Sequence, residues 1–356
     1  MSPVETPQHG RRNMTFTVRV AETEVTFPCE PREFVLDAAE RAGYSMPSSC
    51  RKGACNTCEA ALLEGEVEQR GRGRRTARDG VALMCRAQPR ADLTIRPRRF
   101  ERIDIFRRKT ITATIFRLAR PAPDVTTLTL RFPIGLRAPF KAGQYLQVVM
   151  DDGDRRNFSM ANAARDNDGA ELHIRHIAGG KFSMKTLSKL STGDALRVES
   201  PFGDFYLRAT TRPIILLASG TGFAPIKSII ETAILAGNHR PMHLYWGARK
   251  REDIYFADLP ARWAQRLPWF SFISVLSEPP QSWTGRTGLV HNAVQEDHTD
   301  LSAFDVYACG NPMMVSAAQR EFTASHGLPE AHFFADAFVA SGSGAFDELQ
   351  QAAAPS

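Results

Sequence analysis

The rhythm of apolar and polar positions changes twice along this chain, dividing it into three segments. Residues 14–26 (MTFTVRVAETEVT) alternate apolar with polar, as a half-buried strand or hairpin does. Over 33–43 (EFVLDAAERAG) the spacing turns helical and closes on a glycine suited to a helix stop. A cysteine-bearing loop and a short strand at 92–96 (DLTIR) complete a compact α+β unit assigned to residues 14–100. The stretch 96–109 is basic, contains Pro97 and has little apolar periodicity, so 101–108 is expected to be a linker. From 109 to 208 short alternating strands (TITATIFRL, TTLTLRF, QYLQVVM, ELHIRHI, ALRVES) predict an antiparallel β-barrel. After Pro213 comes IILLASG, a continuous apolar run like a strand covered on both faces. It leads through GTGFAP into a helical stretch at 226–236, and HLYWGA, FSFISVL and DVYACG follow as strands. That alternation predicts a doubly wound parallel-sheet domain over 212–340. Residues 1–13 and 341–356 are expected to be tails.

Composition narrows the function classes. No apolar run approaches ~20 residues, so no membrane span is expected. The first 13 residues lack the apolar core of a signal peptide, which favours a cytoplasmic protein. A net charge of +6 raises nucleic acid as a partner. The basic residues gather at 70–78 and 96–108, however, without the interleaved aromatics of a base-stacking surface, so none is expected. An acidic protein partner and a plain solvated face remain as readings of those clusters.

Three of the six cysteines fall within nine residues. The spacing Cys50-x4-Cys55-x2-Cys58, with Cys85 further on, is the plant-type pattern for a [2Fe–2S] cluster. Three ligands on one tight loop wrap the irons, and a distant fourth closes the cage. Gly53, Ala54, Asn56 and Thr57 are small or turn-tolerant, which lets backbone N–H groups approach the sulfides. The alternatives are free thiols or zinc. Structural zinc usually takes two separated CxxC-like pairs, and only Cys55–Cys58 fits that.

Arg156-Asn157-Phe158-Ser159 follows the strand QYLQVVM and a DDGD turn. Such an element suits a flavin: a guanidinium for a phosphate, a ring to stack on the isoalloxazine, a hydroxyl to reach its N5 edge. Alone, four residues fit a surface turn as well. Gly179-Gly180-Lys181-Phe182-Ser183 lies about 20 residues on and precedes a helical stretch, so glycines, N–H groups and a helix start converge on an anion. Gly220-Thr221-Gly222, with Pro225 in the following turn, opens a helix after a buried strand, a context for pyrophosphate. Cys309-Gly310-Asn311-Pro312-Met313 ends the strand DVYA at the carboxyl edge, where such sheets bind ligands. Cys309 could equally be a buried structural cysteine.

In this order the motifs resemble the ferredoxin-fused reductase components of bacterial multicomponent oxygenases, in the ferredoxin–NADP reductase superfamily. CRKGACNTC with LMCRAQPRADLTI looks like their cluster loop and fourth-ligand strand, although the residue after the second cysteine, often small there, is Asn56. RNFS looks like their RxYS element with Phe158 in place of tyrosine, and CGNPM like their CGxPxM. The resemblance covers residues 14–340. It implies a β-grasp-like ferredoxin domain and a flavin that is FAD rather than FMN. It also implies a nicotinamide beside Cys309, with Ser159 and Cys309 helping to orient the transfer. Within FFADAF, Phe338 would cover the flavin ring and Asp336 would lie near the transfer site, although the family often has glutamate there. Arg249 and Arg251 would lie at the adenine ribose, with NADH favoured over NADPH. The implied function is electron transfer from NADH through FAD and the cluster to a terminal oxygenase or a ferredoxin. Two further uses of the same modules stay open. One is service to the iron–sulfur dehydratase of deoxysugar biosynthesis (CDP-6-deoxy-glucoseen type), the other a stand-alone flavin or quinone reductase. From another class, the chain could be a redox sensor.

Overall fold

The computed structural model describes residues 15–48, 50–53, 55–102 and 108–339. The expected tails and residues 103–107 of the expected linker lie outside the described residues. Packing divides the chain into two units, Met1–Pro47 with Cys58–Ile103, and Ser48–Thr57 with Asp104–Ser356.

In the first unit the alternating N-terminal segment is a hairpin, Phe16–Val20 against Thr26–Cys29. Leu93–Pro97 adds in parallel to the first strand, and Glu59–Glu64 and Val81–Leu83 extend the sheet antiparallel. Helix α1 (Val35–Arg41) buries Val35, Leu36, Ala38 and Ala39 in one cluster with Val18, Phe27 and Ile95. It is shorter than its apolar pattern suggests. Glu33 lies outside it and pairs with Arg41 at 2.8 Å. A three-stranded sheet joins Gly73–Thr76, Glu66–Gln69 and Ala87–Pro89. The expected linker begins as structure: Glu101–Arg102 pairs with Tyr44–Ser45, and Phe100 stacks on Tyr44 at 4.9 Å. An aromatic contact thus holds a segment whose own sequence carries no periodic signal.

The second unit contains two six-stranded sheets. The first is antiparallel, in the order Arg155–Ser159, Tyr145–Val149, Ala195–Phe202, Lys109–Ala122, Val125–Arg131, Gly169–Arg175. An isolated bridge between Met160 and Leu172 links its outer edges. Lys109–Ala122 runs four residues beyond the alternating TITATIFRL pattern. Pro121 is tolerated because pairing is interrupted between Ala119 and Ala122.

The second sheet is wholly parallel, with Ile214–Ser219 central between Met242–Ala248 and Asp305–Gly310. Phe270–Leu276, Arg286–Thr287 and Phe333–Ala337 complete it. Ile214 to Ala218 are all fully buried, which is why that strand reads as an unbroken apolar run. Its helices are α2 (Phe223–Leu235), α3 (Asp258–Arg266), α4 (Val290–Asp297) and α5 (Pro312–Ser325). The two sheets share a core: Val125, Ala142 and Phe205 cluster with Leu216, Phe223 and Ile226. Strands are added first toward one edge from Ile214–Ser219 and then toward the other, so the carboxyl end of this strand is the topological switch point where such sheets bind ligands.

Candidate active site and cofactor-binding residues

A cavity of about 850 Å3 opens at that switch point. It is lined from the antiparallel sheet by Arg156, Phe158 and Ser159, and from the following loop by Gly180, Lys181, Phe182 and Ser183. From the parallel sheet it is lined by Gly220, Thr221, Arg249, Gly310 and Met313, and beyond them by Asp336 and Phe338. Motifs lying far apart in sequence therefore face one space. Gly179, Gly222, Pro225, Arg251 and Cys309 are not among its lining residues.

Two glycines explain how the backbone gets so close. A Cβ on Gly180 would sit 2.4 Å from Ser183 Oγ and 2.8 Å from the Ile177 carbonyl oxygen. A Cβ on Gly222 would sit 2.2 Å from the Cys309 carbonyl oxygen, so only glycine lets the 220–222 turn lie against the end of Asp305–Gly310. Gly222 and Pro225 thus shape the cavity from behind, Pro225 as a buried residue in the first turn of α2. The stretch after Gly180 is not a regular helix. It is a π turn, Lys181–Thr186, followed by a 3-10 turn, Leu187–Lys189.

The phosphate-suited cations are held by the DDGD turn. Arg156 Nη1 donates to Asp154 Oδ1 at 2.6 Å, and Lys181 pairs with Asp152 and Asp154. The Arg156 guanidinium holds the Asp154 carboxyl down at about 2. Phe158 meets Phe182 at 5.1 Å between ring centroids.

At the carboxyl ends of the parallel strands Ser219 Oγ accepts the Asn311 N–H at 2.8 Å, and Asn311 caps α5 by accepting from the Met313 N–H at 2.8 Å. The Phe338 N–H donates to the Gly310 carbonyl at 2.7 Å, which fixes this aromatic, 36% exposed, at the mouth. Arg249 lines the cavity, whereas Arg251 is exposed on the 3-10 turn Arg251–Asp253. The Cys309 side chain is fully buried, and burial, with Asp336 nearby, pushes its thiol well above the ordinary value. Cys309 is thus a neutral thiol behind the cavity wall.

All four expected cluster ligands are buried. In the first unit Cys58 and Cys85 bring their Sγ atoms to 3.0 Å, longer than the ~2.05 Å of a disulfide. Cys50 and Cys55 lie on the loop Ser48–Thr57, which packs with the second unit. Arg51, Gly53 and Asn56 on this loop all have positive φ. Asn56, which departs from the family's small residue, occupies a left-handed position that asparagine tolerates well. Among the described residues no three His, Cys, Asp or Glu side chains converge as on a single ion. Buried sulfur donors on a turn-rich loop suit an iron–sulfur group. The cavity, with two cations and close-set backbone, suits a dinucleotide.

Sequence reasoning missed Glu171, His173 and Arg175, of which the last two line the cavity. They sit at alternate positions of Gly169–Arg175, a polar period of two in a segment read simply as a strand.

Comparison with known proteins gives the same three parts in the same order. Residues 18–90 match the family described as 2Fe-2S iron-sulfur cluster binding domain. Residues 117–206 match the oxidoreductase FAD-binding domain, and 216–320 the oxidoreductase NAD-binding domain. The chain is 37% identical to reductase component 1 of terephthalate 1,2-dioxygenase from Comamonas sp., over 93% of this chain and 99% of that protein. It is 36% identical to the CDP-6-deoxy-L-threo-D-glycero-4-hexulose-3-dehydrase reductase of Yersinia pseudotuberculosis, over 92% of this chain and 100% of that one. The crystal structure of the Amycolatopsis cytochrome P450 reductase GcoB superposes with a TM-score of 0.71 at 31% identity, covering 91% of this chain and 99% of that one. No helix among the described residues is long and apolar enough to cross a membrane. The chain belongs to the ferredoxin-fused reductases of the ferredoxin–NADP reductase superfamily, NAD(P)H-dependent oxidoreductases that carry FAD and a [2Fe–2S] cluster.

Proposed function

We propose that this chain is the cytoplasmic reductase component of a multicomponent oxygenase, fed by NADH in preference to NADPH. One observation carries the reading: Ser159, Asp336 and residues Gly220 and Thr221 of the glycine turn line a single cavity, so the groups proposed for flavin and for coenzyme share one space. FAD, when bound there, accepts two electrons together as hydride and releases them singly, which a one-electron cluster needs.

The chain's own residues supply position and charge. Arg156, Lys181 and the amides of 179–183 hold the flavin pyrophosphate, exchanging their pairs with Asp152 and Asp154 for phosphate. Phe158 would offer its ring to the flavin, Ser159 and Asp336 would hold the transfer locus, and Phe338 would shield the flavin in the absence of coenzyme. The turn Gly220–Gly222 and Gly310 cradle the coenzyme phosphates, Met313 borders them, and Arg249, with Arg251 outside it, faces the ribose. Cys309 acts through its backbone and bulk. Cys50, Cys55, Cys58 and Cys85 ligate the cluster. The modules are 14–100 (β-grasp-like), 109–208 (an antiparallel barrel, supported by the Met160–Leu172 bridge) and 212–340 (doubly wound).

The relatives include both dioxygenase and dehydrase reductases, so acceptor identity decides the assignment. The holo chain with NADH should reduce cytochrome c and sustain substrate-dependent oxygen uptake with a purified dioxygenase oxygenase component. Reduction of a hexulose-3-dehydrase with no oxygen uptake would move the chain to the second group. NADPH outperforming NADH in kcat/KM would overturn the coenzyme choice.

A further inference from the structure

The strand Gly169–Arg175 presents Glu171, His173 and Arg175 on one face, and that face lies along the start of α2 in register. A Cβ on Gly220 would sit 2.7 Å from Arg175 Nη1. The His173 ring faces Phe223 at 6.4 Å between centroids. Lys227 Nζ donates to Glu171 Oε2 at 3.1 Å and to Glu231 Oε2 at 2.9 Å. Positions 175, 173 and 171 follow the strand period and face 220 in the turn and 223 and 227 in α2, through a close backbone approach, a ring contact and one ion pair respectively.

The hydrogen bonds have a defined direction. Burial opposes ionisation of Glu171, yet the His173 hydrogen bond and the Lys227 ammonium overcome it and hold the carboxyl at about 2. An ionised carboxylate only accepts, so His173 Nε2 carries the proton in its 2.8 Å bond to Glu171 Oε1. Burial keeps His173 neutral, which leaves Nδ1 to accept from the Tyr255 hydroxyl at 2.8 Å. Lys227 also donates to the Ala161 carbonyl at 3.1 Å, two residues past Ser159. On α2 it stands five residues past Gly222. This ammonium is thus tied within a few residues of both Ser159 and Gly222 along the chain.

A buried ion pair is a poor source of stability compared with apolar packing, but its directional bonds fix a register that apolar contacts would let slide. We propose that Glu171, His173, Lys227 and Tyr255 form a positioning set that fixes the coenzyme turn against the flavin-side strand and so sets the hydride-transfer distance. The inference rests on the cavity being the hydride-transfer site. Of the four only His173 lines the cavity, and none belongs to the motifs assigned to flavin or coenzyme.

Lys227→Met in the full-length holo chain tests this. FAD and iron content should match wild type and the Kd for NADH should change little. The rate of flavin reduction by NADH, from anaerobic stopped flow, should fall about tenfold, since sub-ångström misplacement of reactants is costly. The long-wavelength charge-transfer band of NAD+ with reduced flavin should weaken in parallel, and Lys227→Arg should restore most of both. Tyr255→Phe, which removes one hydroxyl, should show the same pattern more weakly and decides the matter if Lys227→Met does not fold. A wild-type rate and band in a folded variant overturn the proposal. So does a rate loss that merely tracks lost FAD or stability and is not rescued by arginine. A wild-type chain that binds no FAD would instead sink the site itself.

Discussion

Ser159 Oγ donates a hydrogen bond to Asp336 Oδ2 at 3.4 Å, joining residues 177 positions apart. One ends an edge strand of the antiparallel sheet, the other lies in the last strand of the parallel sheet, and both are buried. The contact ties the flavin-side motif to the acid-x-aromatic element. Ser159→Ala removes the donor while leaving Arg156 and Phe158 to hold the flavin. We expect retained FAD and flavin reduction by NADH slowed roughly tenfold to a hundredfold, the scale of a lost orienting group. Asp336→Asn keeps an acceptor and should do less. Stopped-flow reduction at wild-type rate in Ser159→Ala would remove that residue from the transfer site.

Gly222 offers a test that depends on space rather than chemistry. Alanine there places a methyl 2.2 Å from the Cys309 carbonyl oxygen, in backbone that cannot rotate aside. Overpacking of this kind costs about 1–3 kcal/mol. The displaced turn should also raise KM for NADH several-fold while KM for cytochrome c holds. Thermal unfolding and steady-state kinetics check both. Unchanged values in Gly222→Ala would mean that the turn does not need this close approach.

How far the sequence speaks depends on whether the signal is local. The strand Ile214–Ser219 and the Gly220–Gly222 turn are legible because each is a contiguous pattern with a physical cause, whereas Arg156–Ser159 stands out as a motif but not as part of the strand Arg155–Ser159. Glu101–Arg102 is not, because its pairing with Tyr44–Ser45 depends on residues more than fifty positions away. Cys309 illustrates a partial reading. Its motif places the backbone at the cavity rim, but whether the sulfur points into the cavity depends on packing with Tyr307 and Trp246 that no local pattern reports. Glu171, His173 and Lys227 were hidden for the same reason: their meaning arises only when strand and helix are laid side by side.

The four cysteines proposed as cluster ligands offer a way to separate the two redox functions. Cys55→Ser should abolish the visible absorption of the iron–sulfur group and lower cytochrome c reduction by at least tenfold. NADH-to-ferricyanide activity, which needs only flavin and coenzyme, should remain near wild type. Iron analysis alongside the two assays checks this. Loss of both activities in a protein that still holds FAD would argue against independent modules.

Acid should weaken this fold through its buried and half-buried imidazoles. Burial lowers the pKa of His173, His176, His243, His291 and His298 below the ordinary 6.5. A histidine with a depressed folded value favours the neutral form. Its contribution is therefore complete above the unfolded value and is lost as pH falls below 6.5, where the unfolded chain takes up protons the folded chain resists. His243 and His298 suit a test away from the cavity. Their rings lie 5.3 Å apart, His243 Nδ1 bonds Ser271 Oγ at 2.8 Å, and His298 Nε2 meets the Tyr245 hydroxyl at 3.1 Å. Protonating both would set two like charges side by side. The double variant His243→Asn, His298→Asn should be less stable than wild type at pH 7.5, through lost packing, but should lose less further stability between pH 7.5 and 5.5. Urea midpoints of the holo protein at the two pH values measure the difference. An equal drop in variant and wild type would show that these two imidazoles do not govern the acid sensitivity.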